Sequence, residues 1–244
     1  FKIQLMTLFF DPLIKESTKK FIFSREESKH LAKVIRKVPG DIISVTNGKG
    51  LEWKGVLSFV SPQKTIASFK TFKQHPPKKY QIHLAIAPTK NNSRMEWLIE
   101  KLSELGVSTI TPLLCDHSER KIIKKERFEK IIISGLKQSQ QFHLPKVNKI
   151  VSFKNFVFAS KKQETYIAHC EESPKEKLDT ISFRGTSQTI MIGPEGDFSH
   201  REIKEAVMAG IKAVSIGSQR FRTETAGLFA CHTIFLKQHE TTKL

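Results

Sequence analysis

Acidic residues are scarce in this 244-residue chain: 24 Asp and Glu stand against 41 Lys and Arg, a net charge of +17 and a pI near 9.8. A polyanionic partner is the physical expectation, nucleic acid first and an acidic membrane surface second. Cysteine is scarcer still. Cys115, Cys170 and Cys231 are widely spaced and odd in number, which excludes a disulfide framework and any zinc-ligand spacing. They read as small buried hydrophobes in a reducing cytoplasm. No run approaches the roughly 18 apolar residues of a membrane-spanning helix, and no basic amphipathic helix with exposed aromatics stands out for a membrane surface. Repeats, low-complexity tracts and clusters of metal ligands are also lacking, so no metal is expected. The N-terminal ten residues are apolar but short, lack a small-residue cleavage site and are closed by Asp11-Pro12. They read as a first strand and not as a signal peptide; the missing initiator Met points to a processed or trimmed chain.

The charge is unevenly spread. Residues 1–79 carry 16 Lys/Arg against 6 Asp/Glu, and residues 80–244 carry 25 against 18. A Lys-rich habit of the source would account for the total but less easily for this asymmetry. The basic first third reads mainly as strands, at 5–10, 20–23, 41–46 and 51–60, the last two joined by the turn Asn47-Gly48-Lys49-Gly50. Ser24-Arg25-Glu26-Glu27 has the form of a capping box. It would open a helix with Leu31, Val34, Ile35 and Val38 on one face, ended by Pro39-Gly40-Asp41. Short strands with one helix suggest a small β-barrel. Two prolines and three lysines in 73–79 suggest a linker.

Beyond the linker the pattern changes to strand–helix alternation. Strands are expected at 80–87, 107–114, 166–170, 188–192 and 213–216. Helices are expected from a second capping box, Ser93-Arg94-Met95-Glu96, to a C-terminal cap at Gly106, and then over 126–139, 199–209 and 223–238. The charge-mixed 161–177 region is interrupted by the strand at 166–170. This is an α/β pattern with a mainly parallel sheet and helices on both faces.

Two segments carry chemistry. Gly193-Pro194-Glu195-Gly196-Asp197-Phe198-Ser199 lies between a strand and a capped helix, where open α/β sheets place ligand loops. Its glycines let backbone approach a ligand and its proline stiffens the turn; an ordinary strand–helix turn reads as well. Residues 215–226 repeat the strand, glycine loop and helix, with Arg220 and Arg222 beside the loop and Thr223 placed to cap the helix. A cation such as Arg222 at a helix N-terminus is electrostatically odd. Either it faces a bound anionic or electron-rich group, or it pairs with Glu224 or Glu195 on a solvated surface.

Together these segments resemble the SPOUT methyltransferases, and specifically the RsmE family, which methylates N3 of a uridine in small-subunit ribosomal RNA. The 193–199 loop is similar to the family's GPEGGFS loop, with Asp197 at the last glycine. Phe221-Arg222-Thr223-Glu224-Thr225-Ala226 is similar to its LRTETA segment. Weaker matches are His30 to Arg36 with Pro39-Gly40-Asp41 and Gly48-Lys49-Gly50; Lys90, Arg94, Glu100-Lys101 and Glu104-Leu105-Gly106-Val107; and Ser118-Glu119-Arg120 with Gln138-Ser139. The resemblance spans nearly the whole chain. One departure stands out: the family's Glu-Gln-Ser-Gly-Arg run reads Lys137-Gln138-Ser139-Gln140-Gln141 here.

The resemblance implies a PUA-like RNA-binding β-barrel over 1–72, the 73–79 linker, and a SPOUT domain with a trefoil-knotted sheet over 80–244. It implies S-adenosyl-L-methionine as cofactor, held mostly by loop backbone. The positions concerned are His169, Ile192, Gly193, Pro194, Glu195, Gly196, Ile216, Gly217, Ser218, Phe221, Arg222 and Ala226. It implies a cytoplasmic homodimer acting on 16S ribosomal RNA within the small subunit, with the site at the subunit interface. Arg222 is the candidate for stabilising charge on the acceptor base, and Glu195 or Glu224 for taking its proton. Lys33, Arg36, Lys37, Arg94 and Arg120 are candidate RNA contacts, although 33–37 could equally be a solvated face. His30 reads as a structural or RNA-contacting histidine, Trp53 and Trp97 as core or interface. Ribose 2′-O methylation and a non-catalytic RNA-binding assembly factor remain as other readings.

Overall fold

The computed structural model describes residues 7–160 and 164–241. The chain divides into two compact units, residues 1–77 with 136–144, and residues 78–135 with 145–244.

The first unit is a five-stranded sheet. In chain order it comprises β1 (Leu8–Phe10), β2 (Lys20–Ile22), α1 (Arg25–Lys29) running into a π-helical turn (His30–Ile35), β3 (Ile42–Thr46), β4 (Leu51–Val60) and β5 (Thr65–Gln74). The spatial order is β1-β3-β4-β5-β2, with β1 and β3 parallel and the other pairs antiparallel. Phe9, Phe21, Phe23, Leu31, Trp53 and Leu57 form its core. Each such burial contributes roughly 1.5–3 kcal/mol, and the Trp53 indole N–H is satisfied by the Thr18 carbonyl at 2.9 Å. Burial alone would raise the Glu52 carboxyl. Hydrogen bonds from His75, Lys54 and Ser44 instead hold it below its usual range. The 136–144 segment belongs here: Lys137 pairs with Glu27 at 3.3 Å, and Phe142 stacks on His75 at 3.8 Å.

The helix expected after Ser24 is shorter than its periodicity suggests. Ser24 caps Glu27 N–H at 3.2 Å, but Arg36 adopts a left-handed φ of 57° and the Lys37 N–H returns to the Leu31 carbonyl at 2.9 Å. That closure stops the helix before Pro39. It leaves Val34 66% and Val38 58% exposed, so only Leu31 and Ile35 of the expected face pack inward. His30 is exposed.

The second unit carries β6 (Gln81–Ile86), α2 (Asn92–Leu105), β7 (Thr109–Leu114), α3 (Lys125–Ser139, whose last turn belongs to the first unit), β8 (Lys146–Val147), β9 (Val151–Ser152), α4 (Phe153–Ala159), β10 (Glu164–Ala168), β11 (Glu176–Lys177), β12 (Ser187–Ile192), α5 (His200–Met208), β13 (Lys212–Ser215) and α6 (Thr223–Thr241). The sheet order is β11-β13-β10-β12-β6-β7-β8, with β9 also on β7, and every pairing is parallel. Helices α4 and α5 cover one face, over Ala85, Ile167 and Met191. On the other face α6 packs against β6, β12 and α2. A sheet covered on both sides needs continuously apolar strands, and residues 82–87 and 188–192 are buried with His83 alone only partly so.

Several local expectations are corrected. The helix expected from Ser93 is capped by Asn91, whose side chain accepts from Ser93 N–H at 2.8 Å; Glu96 pairs with Arg127 instead. Lys73 and Gln74 belong to β5. Lys78 reaches back to the Leu105 and Gly106 carbonyls at 3.3 and 3.1 Å and closes the α2 C-terminus. Residues 5 and 6 of the expected first strand, and 161–163 of the charge-mixed stretch, lie outside the described residues. Among the described residues no helix is long and apolar enough to cross a membrane.

His83 sits in the middle of the sheet, bonded to Thr111 Oγ1 at 2.7 Å. Burial, with a smaller contribution from Lys146, pushes its imidazole down to about 4 from an ordinary 6.5. The unfolded chain therefore takes up the proton first as pH falls. Stability from the neutral imidazole is complete above pH 6.5 and is lost on going down to about 4, on the order of 3 kcal/mol. Urea midpoints should fall across that window, and His83→Gln should flatten the fall.

Candidate active site

Strands β13, β10 and β12 lie side by side and parallel, so their carboxyl ends open at one edge of the sheet. The loops that follow them surround a cavity of about 670 Å³, within the range of small-molecule sites. The structure brings to its wall His169 after β10, Ile192 at the end of β12 with residues 193–195 after it, and Ile216, Gly217, Ser218, Phe221, Arg222 and Ala226 after β13. Gly196 is not in the wall; a Cβ there would lie 3.2 Å from His117 Cβ. Ala168, Cys170, Lys175, Asp197, Gln219 and Arg220 also line the cavity.

The 193–199 loop is shaped by its own turn and by its neighbour. The Asp197 N–H returns to the Pro194 carbonyl at 2.9 Å. Ser199 and Glu202 form a complete capping box. Glu202 Oε2 accepts from Ser199 N–H at 2.9 Å while Oε1 accepts from Asp116 N–H at 3.0 Å. Asp116 in turn takes the Ser199 hydroxyl at 2.6 Å and Arg201 at 2.8 Å. His117 Nδ1 lies 3.1 and 3.0 Å from the Gly196 and Asp197 carbonyls. The residues following β7 thus buttress the loop. The sequence offers little sign of them, because Asp116 and His117 act on partners about 80 residues away.

The wall has the features of a ligand cradle. A Cβ at Gly193 would meet Phe198 N at 3.0 Å, and one at Gly217 would meet the Phe221 ring at 3.0 Å, so a side chain at either position would crowd the chain's own phenylalanines. His169 is 7% exposed, and both its ring nitrogens are buried without a hydrogen-bond partner among the described residues. Burial first, and Lys175 second, lower its pKa, leaving a neutral ring with one donor and one acceptor to offer.

Arg222 heads α6. Its carbonyl accepts the Ala226 N–H at 2.8 Å, which makes Arg222 the capping position and Thr223 the first helical residue, against the expected cap at Thr223. The Arg222 side chain is exposed and makes neither pair considered for it. Glu195 accepts the Lys90 N–H at 3.0 Å. Glu224, 7% exposed, has Oε1 3.7 Å from Arg94 Nε and a buried Oε2 without a partner among the described residues. Arg120 is committed to the carbonyls of Thr89, at 2.9 Å, and Lys90, so its guanidinium is largely spent within the chain. Lys33 and Arg36 are exposed in the first unit, and Lys37 is 3.9 Å from Asp41. Among the described residues no group of three His, Cys, Asp or Glu could hold a metal.

Residues 76–235 match the family model of an RNA methyltransferase domain, and residues 23–69 match that of an RNA methyltransferase PUA domain. The ribosomal RNA small subunit methyltransferase E of Buchnera aphidicola subsp. Acyrthosiphon pisum is 30% identical over 86% of this chain and 85% of its own. The chain belongs to the RsmE family. Among solved structures, one described as a probable rRNA-methyltransferase from Porphyromonas gingivalis is 35% identical, with a TM-score of 0.87 over 96% of this chain and 99% of its own. The Neisseria gonorrhoeae ribosomal RNA small subunit methyltransferase E, bound to S-adenosyl methionine, is 27% identical, with a TM-score of 0.79 over 94% and 96%.

Within this RsmE fold the three cysteines are not equivalent. Cys115 and Cys231 are buried, and burial pushes both thiols up. Cys170 is exposed and lines the cavity, against the expectation that all three are buried. A thiol reagent should modify one site rapidly in the folded protein and three after denaturation. Rapid modification of two or more would contradict this assignment.

Proposed function

We propose that this protein transfers a methyl group from S-adenosyl-L-methionine to N3 of a uridine in 16S ribosomal RNA. The observation that carries the reading is the three-loop cavity with an exposed arginine, Arg222, in its wall. RsmE membership and the cofactor-bound Neisseria relative support it. The residues present fit the cofactor: Gly193, Gly217 and His169 all line the cavity, and both His169 ring nitrogens are buried without a hydrogen-bond partner among the described residues. When bound, the cofactor supplies an electrophilic methyl on a positively charged sulfur.

The chain's own work is then positioning and charge. Uracil N3 is protonated at neutral pH and buried in pairing, so the base must be exposed and lose that proton. Arg222 stabilises the negative charge that develops on the uracil oxygens. Glu195 and Glu224 are the two candidate acceptors of the proton, Glu195 in the wall and Glu224 with a buried oxygen free of hydrogen-bond partners among the described residues. RNA is drawn by the net positive charge, with Lys33, Arg36 and Lys37 on the first unit and Arg94 on the second as phosphate contacts. The proposal includes the trefoil-knotted crossover, a cytoplasmic location and a homodimer. Phe229 and Leu236 leave α6 apolar and 44% and 47% exposed, a surface a second copy would cover.

Incubation with labelled donor and undermethylated small subunits should place the label on uridine N3. Label on a ribose 2′-oxygen would replace the substrate atom, and absence of both label and cofactor uptake would leave only an RNA-binding protein. Arg222→Ala should lower the methylation rate by about a hundredfold or more while still binding the demethylated cofactor. A normal rate would remove Arg222 from the mechanism.

A further inference from the structure

We propose that Asp197 is a positioning residue, a latch that fastens the loop after β10 to the loop after β12 and so sets the shape of the cavity between them. The inference rests on the cofactor reading above and deepens it.

Asp197 has a left-handed backbone, φ 63°, at the position where the similar family loop carries glycine. A side chain there is strained unless it returns something. The Asp197 carboxylate does so twice. Oδ1 accepts from Phe198 N–H at 2.8 Å, and Oδ2 accepts from Cys170 N–H at 2.7 Å, across 27 residues of chain. The first bond holds the local turn. The second joins two separate crossovers, and a glycine could not make it.

The latched loop is held from its other side as well. Lys175 Nζ donates to the His169 and Glu171 carbonyls at 2.9 and 2.6 Å, folding residues 169–175 back on themselves. His169, whose ring nitrogens have no hydrogen-bond partner among the described residues, is the residue just before the latched amide. Asp197 also lines the cavity, so releasing the latch would free the His169 end of the wall without disturbing the capping box at Ser199. His117 contacts the backbone carbonyls of Gly196 and Asp197 and not the Asp197 carboxylate.

The test compares Asp197→Gly with Asp197→Asn. Glycine accepts the left-handed backbone, and the strain it relieves offsets part of the lost hydrogen bonding, so Asp197→Gly should stay folded and melt within a few degrees of the wild type. Its Cys170 amide should nevertheless exchange with solvent at least about tenfold faster, and its Kd for S-adenosylhomocysteine by calorimetry should rise about tenfold, the scale of one charge-assisted hydrogen bond. Asparagine tolerates the same backbone and keeps one acceptor, so Asp197→Asn should restore most of the Cys170 protection and part of the affinity. An Asp197→Gly protein with wild-type exchange at Cys170 overturns the latch. Faster exchange with unchanged affinity overturns its role in shaping the cavity. Should the wild type itself take up no S-adenosylhomocysteine, the methyltransferase reading falls, while exchange at Cys170 still decides whether the latch exists.

Discussion

Strand β12 is hydrogen-bonded along both edges, to β6 on one side and β10 on the other. Its last residues, 190–192, are buried, so the point at which the chain leaves the sheet is fixed by backbone pairing and by cover on two faces. The glycine loop hangs from that point. Because β10 is shared by β12 and β13, three crossovers emerge side by side, and a cavity forms where no single loop could enclose one. Glu202 then fixes the far end of the loop, since one carboxylate satisfies both the α5 cap and the backbone of Asp116. The charge of Glu202 is tolerable at 2% exposure because both oxygens are occupied.

Much of this frame was legible because it rests on local rules. The alternation along β6, the glycine at the end of α2 and the Ser199–Glu202 spacing each point to the structure they form. The same serine–glutamate spacing misleads at Ser93, because Asn91 is a better-placed competitor two residues earlier and Arg127 draws Glu96 away. The Phe-rich α4 gives little helical signal; its propensity favours a strand, and packing of Phe153, Phe156 and Val157 into the sheet-face core decides the outcome. The two-residue strands β8, β9 and β11 exist only through their neighbours. The glycine loops of the site could be seen in advance. The clamp from Asp116 and His117 could not, since nothing near them in sequence announces their partners.

Among the described residues three non-glycine residues have positive φ, and two of them, Gln140 at 55° and Asp197 at 63°, stand where the family's runs have glycine. A Cβ in that conformation costs about 1–2 kcal/mol, less for Asp and Asn than for Gln. At Asp197 the two backbone amides it accepts from offset that strain. Gln140 lies in the 136–144 segment, where Lys137 in place of the family's glutamate pairs with Glu27 and lies 5.4 Å above the Phe9 ring. The changed run has therefore acquired interactions of its own within the first unit.

The pairing of β6 with β12 joins residues 106 positions apart, and the first unit is closed by Phe142, whose carbonyl takes the Gly50 N–H at 2.8 Å. Neither unit can be finished by the part of the chain synthesised first. An emerging polypeptide must carry the unpaired edge of β6 until β12 has left the ribosome, and distant parallel pairing of this kind is slow. Assembly of this protein is thus set by the length of the wait, and during translation the exposed edge of β6 is where a nascent-chain chaperone has the most to protect.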